Sequence, residues 1–242
     1  MKLRKITFTL LSTLVLIFAC KEDEETITFV ERDRAEVYAE DLAEIEAFLS
    51  THFYNYEEFE SNPIYSDLSS SPYNVTPNDS FEIVFDTIEG VNINKIPLMD
   101  QVEEKIVTED DIDYKLYILR VRQGTGNTIN PLDAVGVLYE GNLLDGETFD
   151  SADIVNAPFN LTSVGGSFGV ITGLREALIE FQAREAFSEN GDGTTTNHNF
   201  GIGAVFIPSG LGYFSTPTAS IPSYTPLIFK FDLLTRINTY YD

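Results

Sequence analysis

The chain has 242 residues, with no tryptophan, two histidines, one cysteine and a formal net charge of −24. So acidic a balance repels nucleic acid and anionic headgroups, which argues against nucleic-acid binding. Histidine-dependent chemistry could draw only on His52 and His198, and the lone Cys20 rules out an internal disulfide. Hydrophobic residues at 43% are enough for a packed core, and the length suits one sizeable domain with additions or two small domains.

Lys2, Arg4 and Lys5 precede an apolar run from Ile6 to Ala19. The run is shorter than the roughly 20 apolar residues of a membrane-spanning helix, and its order matches the basic and apolar regions of a secretory signal. It closes with Leu16-Ile17-Phe18-Ala19-Cys20. A small residue followed by cysteine at this place resembles the lipobox of bacterial lipoproteins, whose cysteine sulfur receives a diacylglycerol and becomes the new N-terminus. The resemblance implies a signal peptide at 1–19, lipidation of Cys20 and anchoring to a membrane of the cell envelope. Lys21, rather than Asp, follows the cysteine, which implies the outer membrane, facing the periplasm or the surface. Lys21-Glu22-Asp23-Glu24-Glu25 reads either as a solvated acidic tether or as a surface-export signal, and residues 20–33 form the tether as a whole.

From Arg34 the pattern turns helical. Tyr38, Leu42, Ile45 and Leu49 recur at helical spacing, widened by Val37 and Phe48, and Glu36, Glu40, Asp41, Glu44 and Glu46 make the opposite, solvent face. This predicts an amphipathic helix to about Phe53, packed onto its own domain in preference to serving as a dimerisation arm. Pro63, Pro72 and Pro77 mark 62–80 as a loop. Phe81, Ile83 and Phe85 alternate with Glu82, Val84 and Asp86 as in a strand, and Gln101–Val107 suggests another. Residues 34–111 therefore read as an N-terminal extension without recognisable chemistry.

Beyond Ile112 the chain is rich in strands. Tyr114–Val121 is apolar on both faces, as in a fully buried strand. Gln123–Asn127 turns the chain, Val135–Tyr139 is a further strand, and Asp145-Gly146 signals a hairpin. A short helix follows Gly173, with Leu174, Ala177, Leu178 and Phe181 on one face, and Pro226–Leu234 is a closing strand. Antiparallel strands around one short helix make an α+β fold.

Three ordered stretches carry a resemblance over 112–242. The first is Val135-Gly136-Val137-Leu138-Tyr139-Glu140-Gly141, continuing through Asp145-Gly146 to Phe149-Asp150-Ser151. The second is Val170-Ile171-Thr172-Gly173-Leu174-Arg175-Glu176-Ala177-Leu178. The third runs from Ile207-Pro208-Ser209 through Tyr213 and Ile221-Pro222 to Leu227-Ile228-Phe229. Together they resemble the FKBP-type peptidyl-prolyl cis-trans isomerases. The resemblance implies a twisted antiparallel sheet wrapped around a short helix, no cofactor and no metal, and proline-containing polypeptide clients. Tyr139, Phe149, Asp150, Ile171, Tyr213 and Phe229 would be catalytic, and Phe159, Val170, Leu174 and Ile221 would complete the substrate pocket. In these roles Phe149, Phe229 and Leu174 hold the proline ring, the Ile171 N–H and the Tyr213 hydroxyl fix substrate carbonyls, and Asp150, bonded by Tyr139, faces the rotating carbonyl.

The chain departs from the family in places. Leu174 stands where many relatives have tryptophan, Phe214 follows Tyr213 in place of the usual glycine, and Ser215–Ser220 differs from the family flap. Ala183–Gly203 is longer than the family needs and reads as a flexible surface insertion. Its Asn190, Asp192 and Gly193 echo a calcium loop, but Asn199 stands where a bidentate glutamate belongs, and His198 has no second histidine or cysteine nearby. The altered flap, Leu174 and the N-terminal region leave room for a non-catalytic module that binds peptides or a partner, and the helix at 34–53 could instead be the docking element of a structural part of a surface assembly.

Overall fold

In the computed structural model, which describes residues 30–61, 82–155, 157–164 and 169–237, helix formation begins at Asp33. Its carboxylate accepts the N–H groups of Ala35 and Glu36, both at 3.0 Å, and so caps the helix N-terminus. Helix α1 then runs Arg34–Thr51. Val37, Ile45 and Leu49 are buried, with Tyr38, Leu42 and Phe48 partly so. One residue of the predicted solvent face is misassigned. Asp41 is only 2% exposed, because its carboxylate turns inward to bond Ser209. The helix stops short of Phe53 because His52–Tyr54 is extended as β1, pairing with β2 (Phe85–Thr87). Between them lies α2 (Tyr56–Ser61). The predicted alternation is visible at Ile83, buried, and Val84, exposed, whereas Phe81 and the loop at 62–80 lie outside the described residues, as do 1–29 with Cys20.

From Arg32 on, the described residues belong to one compact unit. It contains β3 (Val102–Glu109), β4 (Ile112–Arg122), β5 (Ala134–Leu143), β6 (Thr148–Ala152), β7 (Phe159–Asn160) and α3 (Thr172–Leu178). It continues with β8 (Ala186–Glu189), β9 (Thr195–His198), β10 (Gly201–Ile207) and β11 (Leu227–Ile237). Seven strands form an antiparallel sheet in the order β3-β4-β10-β11-β5-β6, with β7 also pairing β5. With α1 and α3 packed against it, this is the α+β architecture read from the sequence. The boundary expected between 111 and 112 falls in a tight hairpin turn, where Asp110 and Asp111 have φ of 50° and 61°. Residues 102–109 are thus the edge strand of the main sheet.

The sheet buries both faces. On one, α3 packs Leu174, Ala177 and Leu178 against Leu116, Ile118, Val205, Ile207, Phe229 and Phe231. On the other, Ile45, Leu49, Ile83 and Leu98 cover Tyr117, Leu119, Ile202, Ala204, Phe206 and Ile228. Strand β10 sits between β4 and β11 and is buried along its whole length, as expected of a strand with a core on either side. The insertion expected at 183–203 is accordingly corrected. Its middle is the β8–β9 hairpin, its base buries His198 and Asn199, and Gly201–Gly203 opens the central strand.

Candidate active site

The predicted site residues come from six places in the fold. Strand β5 supplies Tyr139, β6 supplies Phe149 and Asp150, and β7 supplies Phe159. Val170, Ile171 and Leu174 lie at the N-terminal end of α3, Tyr213 and Ile221 on the loop after β10, and Phe229 on β11. Two glycines allow the assembly. A Cβ on Gly141 would stand 2.5 Å from the Phe149 ring, and one on Gly173 would stand 2.4 Å from Ile207. The Tyr-x-Gly spacing on β5 therefore makes room for Phe149 to lie over its neighbour strand, and Gly173 lets α3 approach β10.

Val170, Ile171, Leu174, Ile221 and Phe229 are buried in one cluster, against which Tyr139, Phe149 and Phe159 pack while remaining partly accessible. The rings of Phe149 and Phe229 meet edge to face with centroids 5.4 Å apart, Tyr139 and Phe159 lie 5.2 Å apart, and Tyr139 and Phe229 6.1 Å apart. These spacings are those of interacting aromatic pairs. The result is an apolar floor with an aromatic wall open to solvent.

Polar groups stand at the rim. The Tyr139 hydroxyl donates to Asp150 Oδ2 at 2.8 Å. Burial, reinforced by that bond, pushes the Tyr139 phenol well above its ordinary range. Asp150 itself is exposed, so its side chain forms part of the rim and is not enclosed beside the core aromatic. Tyr213 is 37% exposed, and its phenol is raised by burial and then by the charge of Asp150, which places the two side chains within electrostatic reach. Among the described residues the Ile171 N–H donates to no protein acceptor. A separate cavity of about 470 Å³ is bounded by Ile83, Leu138, Glu140, Asp153, Lys230 and Asp232, and of the predicted set it touches Tyr139.

Sequence reasoning missed the residues that hold the Tyr213 loop. A short 3-10 turn at Ser209–Leu211 opens it. Phe214 is buried with φ of 47°, a conformation that costs a bulky residue on the order of 1–2 kcal/mol and that glycine adopts freely. Its ring packs edge to face on Tyr224, with centroids 5.1 Å apart. The departures at Phe214 and Ser215–Ser220 from the resembled pattern were the signals in the sequence that this loop is held in its own way. In the β8–β9 turn, Asp192 accepts the N–H and hydroxyl of Thr194, and Asn190 bonds Thr194 and Thr196.

Part of the chain aligns with solved structures. A peptidyl-prolyl cis-trans isomerase from Pseudomonas syringae pv. tomato aligns at 24% identity and a TM-score of 0.40, over 57% of this chain and 82% of that one. FkpA from Escherichia coli aligns at 25% identity and 0.40, over 57% of this chain and 54% of its own. The three FKBP domains of wheat FKBP73 align at 20% identity and 0.40, over 55% and 51%. The match thus spans about half the length of the second and third. No family model and no curated protein matches the chain.

Proposed function

We propose that this chain is an FKBP-type peptidyl-prolyl cis-trans isomerase, tethered through a lipid on Cys20 to the outer membrane and acting on proline-containing segments of exported proteins. The observation that carries the reading is the joining of an aromatic wall, Tyr139, Phe149, Phe159 and Phe229, to a carboxylate, Asp150, held at its rim by the Tyr139 hydroxyl. Rotation about an X-Pro bond faces a barrier of about 18–20 kcal/mol from amide resonance and needs no covalent step. Catalysis therefore consists of favouring the twisted amide over its planar forms. The proline ring rests against the touching rings of Phe149 and Phe229, above Leu174. There the apolar surroundings disfavour the planar amide, which is the more polar form, more than the twisted one. The Ile171 N–H and the Tyr213 hydroxyl bond carbonyls of the substrate, and Asp150 turns the rotating carbonyl away from the rim.

A proline-isomerisation assay on Xaa-Pro peptides with varied Xaa tests the reading. The wild-type chain is expected to accelerate exchange, and Phe229→Ala to lower kcat/KM by about two orders of magnitude through loss of the ring's contact surface. Absence of acceleration by a folded protein that still binds the peptide would replace the isomerase with a peptide-binding module. For the anchor, Cys20→Ser should abolish incorporation of a radiolabelled fatty acid in a bacterial host. Labelling that persists would remove the lipid from the proposal.

A further inference from the structure

We propose that the segment Arg32–Asp41 is a built-in clamp for the loop that carries Tyr213 and Ile221, with Arg34 and Asp41 as its positioning residues. What the loop does rests on the isomerase reading; how it is held does not. The loop closes on itself at its base, where the Tyr224 N–H donates to the Phe214 carbonyl at 2.6 Å and the two rings pack together. The N-terminal segment touches both partners of that closure. The Arg34 guanidinium stands 4.0 Å over the Phe214 ring, and the Arg32 N–H donates to the Tyr224 hydroxyl at 3.0 Å. A guanidinium over an aromatic face is held by the ring's quadrupole.

Asp41 secures the entrance of the same loop. Its Oδ2 accepts the N–H and the hydroxyl of Ser209 at 2.7 and 2.6 Å, and the Ser209 carbonyl in turn accepts the Phe214 N–H at 2.9 Å. The carboxylate is thereby linked through one residue to Phe214, the neighbour of Tyr213. The outer half of the loop is held by its own bonds, the Ile221 N–H donating to Thr218 Oγ1 at 3.0 Å and the Thr218 N–H to the Ile221 carbonyl at 2.9 Å. Releasing the base would therefore let Tyr213 and Ile221 move together relative to the aromatic wall, which α1 does not touch through these contacts. A clamp of this kind sets how tightly the peptide flanking the proline is gripped. It should act on KM more than on kcat.

The test measures backbone amide hydrogen exchange and peptide kinetics on the full chain and three variants. Arg34→Ala and Asp41→Ala remove the two arms of the clamp. Asp110→Asn is the control, because it breaks the 3.1 Å ion pair of Arg34 with Asp110 and leaves the Phe214 contact in place. Arg34→Ala should speed exchange at the Phe214 and Tyr224 amides about 10-fold or more, with Val205 in the central strand unchanged, as a local opening requires; Asp41→Ala should speed it at the same two amides, and at Val205 only as far as its lower global stability dictates. KM for an Xaa-Pro peptide should rise about 3- to 10-fold with kcat within about 2-fold, and the control should match the wild type in both. Unchanged exchange in the Arg34 variant, or equal acceleration across the sheet in that variant, would overturn the clamp. If Asp41→Ala does not fold, Arg34→Ala carries the test alone. A wild-type chain without isomerase activity would sink the catalytic reading, and the exchange data would still decide the clamp.

Discussion

Asp150 and Asp41 each accept a hydroxyl bond, and they work in opposite ways. Asp150 is exposed at the rim of the aromatic site and is bonded by Tyr139. Asp41 is 2% exposed on the far side of the chain order and takes both hydrogens that Ser209 can offer. The first carboxylate keeps lone pairs and solvent access, so it can meet a substrate. The second is committed, and its removal would strand two buried donors. A carboxylate beside a hydroxyl is thus not yet a functional signal, since burial and the number of unspent acceptors decide which kind it is.

The contrast is sharpest in stability. Asp41→Ala leaves the buried Ser209 N–H and hydroxyl without their acceptor, and each such loss costs about 1–3 kcal/mol. Relief of a buried charge offsets part of this, so urea denaturation should show a net destabilisation of about 3 kcal/mol. A change under about 0.5 kcal/mol, the range of an ordinary surface substitution, would put Asp41 in the same class as Asp150. The pH dependence comes next in size. Burial raises the Asp41 carboxyl to about 6, against the lowering effect of its Ser209 bonds. Between the ordinary aspartate value and 6 the folded chain holds a proton that the unfolded chain has released. The Asp41 contribution to stability is then fully present at low pH, falls as pH rises through that window, and stays lost above it. Asp41→Asn keeps an acceptor and cannot titrate. Stability of the wild type relative to this variant should drop by about 2 kcal/mol between pH 4 and pH 7. A flat difference would mean that Asp41 is ionised throughout.

How much of this was readable in advance follows the same line. Strand β4 was legible because a core on each face leaves an uninterrupted apolar run, and the β5–β6 hairpin because Asp145-Gly146 marks its turn; Gly146 has φ of 89°. The gathering of Tyr139, Phe149, Phe159 and Phe229 was expected only from the family resemblance carried by 135–229, since each apolar residue taken singly reads as ordinary core. Strand β10 was hidden: three of its seven residues sat in a stretch that looked like an insertion, and Gly201 and Gly203 are there because Phe181 and Gln182 crowd them, a reason visible only in three dimensions. Asp41 was hidden for a related cause. Helical spacing puts it on the charged face, and its partner lies 168 residues away. Periodicity reports which way a side chain points on average and cannot report a single long-range acceptor.

At the rim, the effects should be kinetic. On the proposed reading, Asp150→Leu removes the carboxylate that would face the rotating carbonyl and should lower kcat/KM about 10-fold, equivalent to about 1.4 kcal/mol in the transition state. The denaturation midpoint should stay close to that of the wild type. Unchanged kcat/KM would leave Asp150 as a surface residue and dissolve its half of the comparison.

The smallest effect is the most discriminating. Tyr139→Phe keeps the ring that packs on Phe159 and Phe229 and deletes only the hydroxyl that orients Asp150. Because Asp150 is exposed, water can replace the lost donor, so stability should move by less than about 0.5 kcal/mol. The carboxylate would no longer be held toward the pocket, and kcat/KM should fall about 3-fold, with Asp150→Leu causing little further loss when added to it. Such non-additivity would mean that the two side chains act as one unit whose value lies in orientation. Full additivity would mean that the Tyr139 hydroxyl and Asp150 meet the substrate independently, and the rim bond would then be incidental to catalysis.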